Sequence, residues 1–194
     1  MRTRVFLDVQ TYSKADLKKF GSGHYSSHES TRVLFLTYAF DYEKVHRWEP
    51  MELEPFPEDL MEYLSTASGE AWFWYDSFGV DILEHTLGLT LKAKIRGLNN
   101  LARRAGFPTR FMDFYQQRIS FAPYRLSEVD ISMYMNRFCV EGEDPFASMS
   151  NVAFSHFKGA CVKRVWACRE IHHQCALKLQ MRPDAGQELL DSVI

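Results

Sequence analysis

Hydrophobic and polar positions divide the chain into a few readable runs. Arg4 to Val9 (RVFLDV) is short, β-branched and aromatic, and predicts a first strand. Thr31 to Phe40 (TRVLFLTYAF) predicts a second, longer apolar strand, and Lys44 to Trp48 (KVHRW) a third, with Asp41, Tyr42 and Glu43 as the tight connection of a hairpin. Pro55 and Pro57 open an amphipathic segment, Glu58 to Leu64, in which Leu60, Met61 and Leu64 fall at helical spacing. Glu70 to Tyr75 (EAWFWY) predicts a fourth strand, buried on both faces. Phe78, Ile82, Leu83 and Leu87 then mark a helix. The remainder reads as mostly helical, with breaks at Gly106-Phe107-Pro108 and from Glu141 to Pro145. It ends in a long helix from Asn151 to Gln180 striped by Phe154, Phe157, Cys161, Val165, Cys168 and Ile171. The order strand, hairpin, helix, strand and then helices predicts an α/β fold with a mixed sheet.

Composition adds bounds. At 194 residues and 22.7 kDa, with 46% hydrophobic and 25% charged residues, the chain is the size of one domain with a sizeable core, and wholesale disorder is excluded. The 25 acids against 23 Lys plus Arg give a net charge of −2, which removes a uniformly basic surface and a polybasic membrane anchor. No run approaches a membrane span, and the start lacks a signal peptide's layout. Cys161, Cys168 and Cys175 are seven apart on one stripe of a helix, which with Cys139 points to reduced thiols in a cytoplasm. Cys168 and His172 have the spacing of a helical metal pair, but no further ligands accompany them, so zinc is set aside.

Charge is unevenly placed. Six acids and no base lie between Glu49 and Glu62. From Lys92 to Arg118 there are seven bases (Lys92, Lys94, Arg96, Arg103, Arg104, Arg110 and Arg118) and one acid, Asp113. Both segments read as solvated helix faces; the basic one also reads as a face that tracks a phosphate backbone.

Several landmarks follow one another in a recognisable order: Leu7 to Thr11 (LDVQT), Asp16 to Gly21, Tyr25 with His28 to Thr31, and Val33 to Asp41. Phe78 to Leu87, Arg137 to Cys139 and Trp166 to Glu170 continue the series. In these the chain resembles the 3′–5′ proofreading exonuclease domain of bacteriophage family A DNA polymerases. The resemblance implies an RNase H-like mixed five-stranded sheet flanked by helices, the DEDD exonuclease fold. It covers residues 1–194 as a single exonuclease-like domain, with no polymerase domain in this chain.

In that family four carboxylates hold two divalent metals that activate water and stabilise the leaving oxygen. Asp8 matches the first carboxylate, but Gln10 stands where the family has Glu, an oxygen ligand without charge. In the second motif Phe78 sets the register, so Gly79 replaces the metal-binding Asp; Asp76, three residues earlier, is a substitute ligand or a helix N-cap, and Asp81 a solvated acid. In the third motif Trp166 and Glu170 stand at the Tyr and Asp positions. Glu is a longer ligand, whereas an indole cannot accept a hydrogen bond from water. Trp166 otherwise reads as an aromatic packed on the sheet.

Losing two negative charges beside two cations removes the second metal and most of the rate, so a pseudo-exonuclease without a cofactor is expected. Vestigial catalytic positions are Asp8 and Glu170. If activity survives, a divalent Mg²⁺ or Mn²⁺ held by Asp8, Glu170 and Asp76 would support it. Three functions are open. One is binding of single-stranded DNA or another nucleic acid, with Phe73, Trp74, Tyr75 and Trp166 stacking bases and Lys92, Lys94, Arg96, Arg103, Arg104 and Arg110 meeting phosphates. The second is contact with a phage replication protein or a host protein, for which Glu49 to Glu62 is the candidate face. The third is weak metal-dependent 3′–5′ exonuclease activity. The expected location is the cytoplasm, that of the host if phage-encoded.

Overall fold

The computed structural model describes residues 2–50, 54–118 and 151–180. Among these, five strands make one mixed sheet in the order β3-β2-β1-β4-β5. They are β1 (Arg4–Tyr12), β2 (Arg32–Phe40), β3 (His46–Trp48), β4 (Glu70–Phe73) and β5 (Lys94–Gly97). β1 runs parallel to β4 and antiparallel to β2, and β5 lies parallel to β4. The helices are α1 (Leu17–Ser27), α2 (Glu58–Leu64), α3 (Asp76–Asp81), α4 (Leu98–Arg104), α5 (Phe111–Arg118) and α6 (Asn151–Gln180); α3 continues into a π-helical turn, Ile82–Thr86.

Side chains alternate across a strand, and β1 uses both faces. Val5, Leu7 and Val9 join Leu60, Leu64, Phe73, Ile82 and Leu83 in one core. Phe6 points the other way, into a second core with Trp72, Trp74, Leu98 and the Val165, Cys168, Ile171 and Cys175 stripe of α6. Because both faces are covered, β2 is apolar along nearly its whole length. By the same alternation Asp8 and Gln10 share the Phe6 face and look toward α6. The register of β1 against β2 shifts between Gln10 and Thr11, a bulge at the strand's carboxyl end.

Two elements escape the sequence pattern. β5 has only four residues, two of them charged. α1 begins with Asp16 accepting from the amides of Lys18 (2.8 Å) and Lys19 (3.1 Å), but Gly21 breaks it at φ 80°, a conformation glycine adopts without strain. β1 extends to Tyr12, beyond the predicted Val9. The acidic stretch is not one solvated face. Glu49 is buried between Arg47 and Lys158, and Asp59 pairs with Arg2 at 3.1 Å. Glu52, Arg137 to Cys139 and the Glu141 to Pro145 break lie outside the described residues. Among those described, no helix is long and apolar enough to cross a membrane.

Candidate functional site: a cleft with an internal cation

Ligands of open α/β sheets bind beyond the carboxyl ends of parallel strands. Here the carboxyl ends of β1 and β4, with α1, α3 and α6, border a cleft of about 390 Å³. Leu7, Phe73, Trp74 and Phe78 give it apolar walls, its charged groups are Asp8 and Arg164, and Tyr75 stands on it 53% exposed.

Both carboxylate oxygens of Asp8 are engaged. Oδ2 accepts from Nε2 of Gln10 at 2.8 Å, and Nη2 of Arg164 lies 3.2 Å from Oδ1. The Asp8 side chain is only 11% exposed and that of Arg164 20%. Burial pushes the Asp8 carboxyl above its ordinary value, against the opposing pull of Arg164 and the Gln10 amide. Burial is the largest influence and works to lower Arg164, but Asp8 together with the smaller pulls of Cys161, Cys168 and Tyr75 holds the guanidinium above its usual range. The two-residue spacing of Asp8 and Gln10 thus does put them on one face, where the amide donates to the carboxylate in place of joining it as a ligand.

The second-motif position is filled. A Cβ built on Gly79 would lie 2.2 Å from Cδ1 of Phe73, so the phenyl ring occupies the space a carboxylate at 79 would need. Asp76 is the first residue of α3, with Tyr75 as the cap, and its Oδ1 accepts from the Ser77 amide at 3.0 Å. It lies against Gly97 of β5, away from Asp8's cleft.

The third motif needs a correction. Glu170 and Trp166 do not line the cleft; α6 presents Arg164 to Asp8 instead. At about 100° per residue, Trp166 is turned about 200° from Arg164, and Glu170 sits about 9 Å further along the axis on another face. Glu170 accepts from Gln174 at 2.7 Å, and Trp166 packs at the edge of the second core. Arg164 was legible in one respect: it falls three residues after Cys161 and four before Cys168, inside the apolar stripe, where a charge requires a partner.

A pair of divalent cations does not fit this donor set. Mg²⁺ and Mn²⁺ want several charged oxygens, whereas among the described residues one carboxylate faces the cleft, already held by an amide and a guanidinium. Asp8, Glu170 and Asp76 are not brought together. Among the described residues no group of three or more His, Cys, Asp or Glu is placed to hold a metal.

The basic residues divide. Lys94, Arg96 and Arg104 line a second groove of about 530 Å³ with Glu70, Trp72 and Asp76. Lys94 and Arg104 are exposed, while Arg96 lies 3.5 Å from Glu70. Lys92, Arg103 and Arg110 are exposed outside this lining; Arg103 bonds to Asn100, and Arg110 is 3.9 Å from Asp113.

No protein-family model and no curated protein matches the sequence. Solved structures do match. RNase D of Escherichia coli, an exoribonuclease involved in structured RNA processing, aligns over 97% of this chain and 43% of its own, with a TM-score of 0.61 at 13% identity. RNase D of Trypanosoma brucei aligns over 88% of this chain and 57% of its own, also with a TM-score of 0.61 and 13% identity. Brucella melitensis NrnC bound to pGG aligns over 97% and 86%, at 0.52 and 11%. The chain therefore spans less than two thirds of either RNase D. At such identities the likeness concerns architecture: this chain has the mixed sheet and flanking helices of the RNase H-like DEDD exonuclease fold.

Proposed function

We propose that this protein binds single-stranded nucleic acid on an exonuclease fold without hydrolysing it. The observation that carries the reading is the Asp8–Arg164 contact: where the fold's nucleases need anionic ligands for metal, this chain supplies a cation of its own. With the Gln10 amide on the other carboxylate oxygen and Phe73 in the space beside Gly79, the described residues offer no carboxylate cluster to hold metals that would activate a water. The groove of Lys94, Arg96 and Arg104 then meets the phosphates, and Tyr75 offers a face for a base. Structures of this fold solved with RNA U12 and with pGG support nucleic acid as the ligand class. The likeness to phage proofreading domains suggests a replication setting, with DNA as the first strand to try.

A 3′-labelled single strand tests both halves. Incubated with Mg²⁺ or Mn²⁺ it should remain full length, and it should bind with log K falling by about 0.7 per phosphate contacted for each tenfold rise in salt. Lys94→Glu with Arg104→Glu should abolish that binding. Processive shortening of the strand that disappears in Asp8→Ala would refute the non-hydrolytic reading; absence of binding at low salt would refute the nucleic-acid reading.

A further inference from the structure

Among the described residues, two buried side-chain nitrogens have no hydrogen-bond acceptor: Nε1 of Trp74 and Nε of Arg164. Both residues line the cleft. Both also flank one ring, since Trp74 meets Phe111 edge-on at 5.2 Å and the Arg164 guanidinium lies 5.4 Å from the centroid of Phe111. A buried donor without an acceptor is costly, and both of these belong to residues that line one cleft, behind its surface, where a small turn of either side chain would bring the N–H to a bound acceptor. The guanidinium carries five N–H donors, of which Asp8 engages the Nη2 end.

We infer that Arg164 and Trp74 form a metal-independent site for one phosphodiester group. The inference rests on the nucleic-acid reading above and names a site within it. A guanidinium fork and an indole N–H are donors only, so the complementary atoms are acceptor oxygens, and Arg pairs with phosphate in bidentate geometry. The charge state of the ligand follows from Asp8. Its carboxylate already balances Arg164, so a singly charged diester is accommodated where a phosphomonoester dianion meets repulsion. The flanking groups of a diester also suit the place, with apolar walls at Leu7, Phe73 and Phe78 and the exposed ring of Tyr75.

Indole N–H resonances of the ¹⁵N-labelled full chain separate the two sites. Trp74 reports the cleft, Trp72 lines the second groove, and Trp48, whose Nε1 donates to the Glu54 carbonyl at 3.0 Å, reports the fold. A dinucleotide titrated in EDTA should move the Trp74 resonance and leave Trp48 in place; inorganic phosphate should bind more weakly. Trp74→Phe keeps the ring, assigns the resonance and should raise Kd roughly threefold to tenfold; Arg164→Gln should raise it at least about tenfold. Should Arg164→Gln fail to fold, the wild-type titration and Trp74→Phe still decide. If an oligonucleotide shifts Trp72 but neither it nor the dinucleotide moves Trp74, the phosphodiester site is wrong and the basic groove stands. A dinucleotide affinity unchanged in Trp74→Phe and Arg164→Gln has the same meaning. If no probe moves any indole, the nucleic-acid reading falls with it.

Discussion

A Cβ at position 79 would sit 2.2 Å from the Phe73 ring, closer than any packed pair tolerates. Gly79→Asp therefore does not simply return a ligand. It must displace a buried phenyl and bury a carboxylate, and we expect a loss of at least about 2 kcal/mol in urea unfolding. With Gln10→Glu added, Mn²⁺ should still give no calorimetric binding, because Arg164 remains on Asp8. A stable double variant that bound Mn²⁺ would show that Phe73 swings aside freely. The ion pair itself makes a second expectation. Removing one partner strands the other charge in a largely dry site, so Asp8→Ala should cost about 3 kcal/mol, and Arg164→Met a comparable amount. Asp8→Ala combined with Arg164→Met should cost less than the two single losses together, leaving a large coupling in a double-mutant cycle. A coupling near zero would mean that water, not the partner, satisfies each charge.

Among the elements, α6 decides most, and its thirty residues carry a group other than Arg164 that faces the sheet. His172 meets Phe6 at 5.5 Å and Trp72 at 4.7 Å, both edge-on. Burial, with Arg4 nearby, lowers its imidazole from 6.5 to about 4. The folded state thus resists a proton that the unfolded chain accepts. Its contribution is complete above about pH 6.5 and is lost as pH falls toward 4. Allowing for its partial contact with solvent, the loss is about 1–2 kcal/mol. Denaturant midpoints measured across that window should show a shallower acid slope in His172→Phe; parallel slopes would remove His172 from the account. The long apolar runs made β1, β2, β4, α2 and α6 legible from the sequence, because two-sided burial writes itself into composition. β5 was not legible, since an edge strand of four residues with Lys94 and Arg96 has no period to detect. Nor was α1, whose geometry depends on a glycine kink. At the site, the spacing of Asp8 and Gln10 foretold their shared face. Arg164 was missed because Trp166 and Glu170 matched a motif by spacing alone, while which turn of α6 meets Asp8 is settled by packing against the sheet.

At the scale of the whole molecule, the near balance of 25 acids and 23 bases acquires a structural meaning. A site of clustered, uncompensated carboxylates would leave their repulsion to be relieved by bound cations, and stability would then depend on metal through mass action. This chain places a guanidinium against the carboxylate of its cleft and buries Glu49 between Arg47 and Lys158, so charge is matched within the protein at both places. Among the described residues, the exposed bases Lys94 and Arg104 stand together in the groove at the sheet's β5 edge. Cations and polyanions should accordingly act in opposite ways on thermal stability. Millimolar Mg²⁺, Mn²⁺ or EDTA should leave Tm within about 1 °C of its starting value, as the described residues offer no metal site that distinguishes folded from unfolded chain. A single-stranded oligonucleotide at about 100 times its Kd should add about 2.7 kcal/mol. Because only the folded chain assembles the groove, Lys94→Glu with Arg104→Glu should cut that gain to what the cleft alone supplies, without altering the metal response. A Tm that rose with Mn²⁺ and fell with EDTA would mean that the Asp8–Arg164 pair opens to admit metal, and would return the protein to the metal-dependent enzymes.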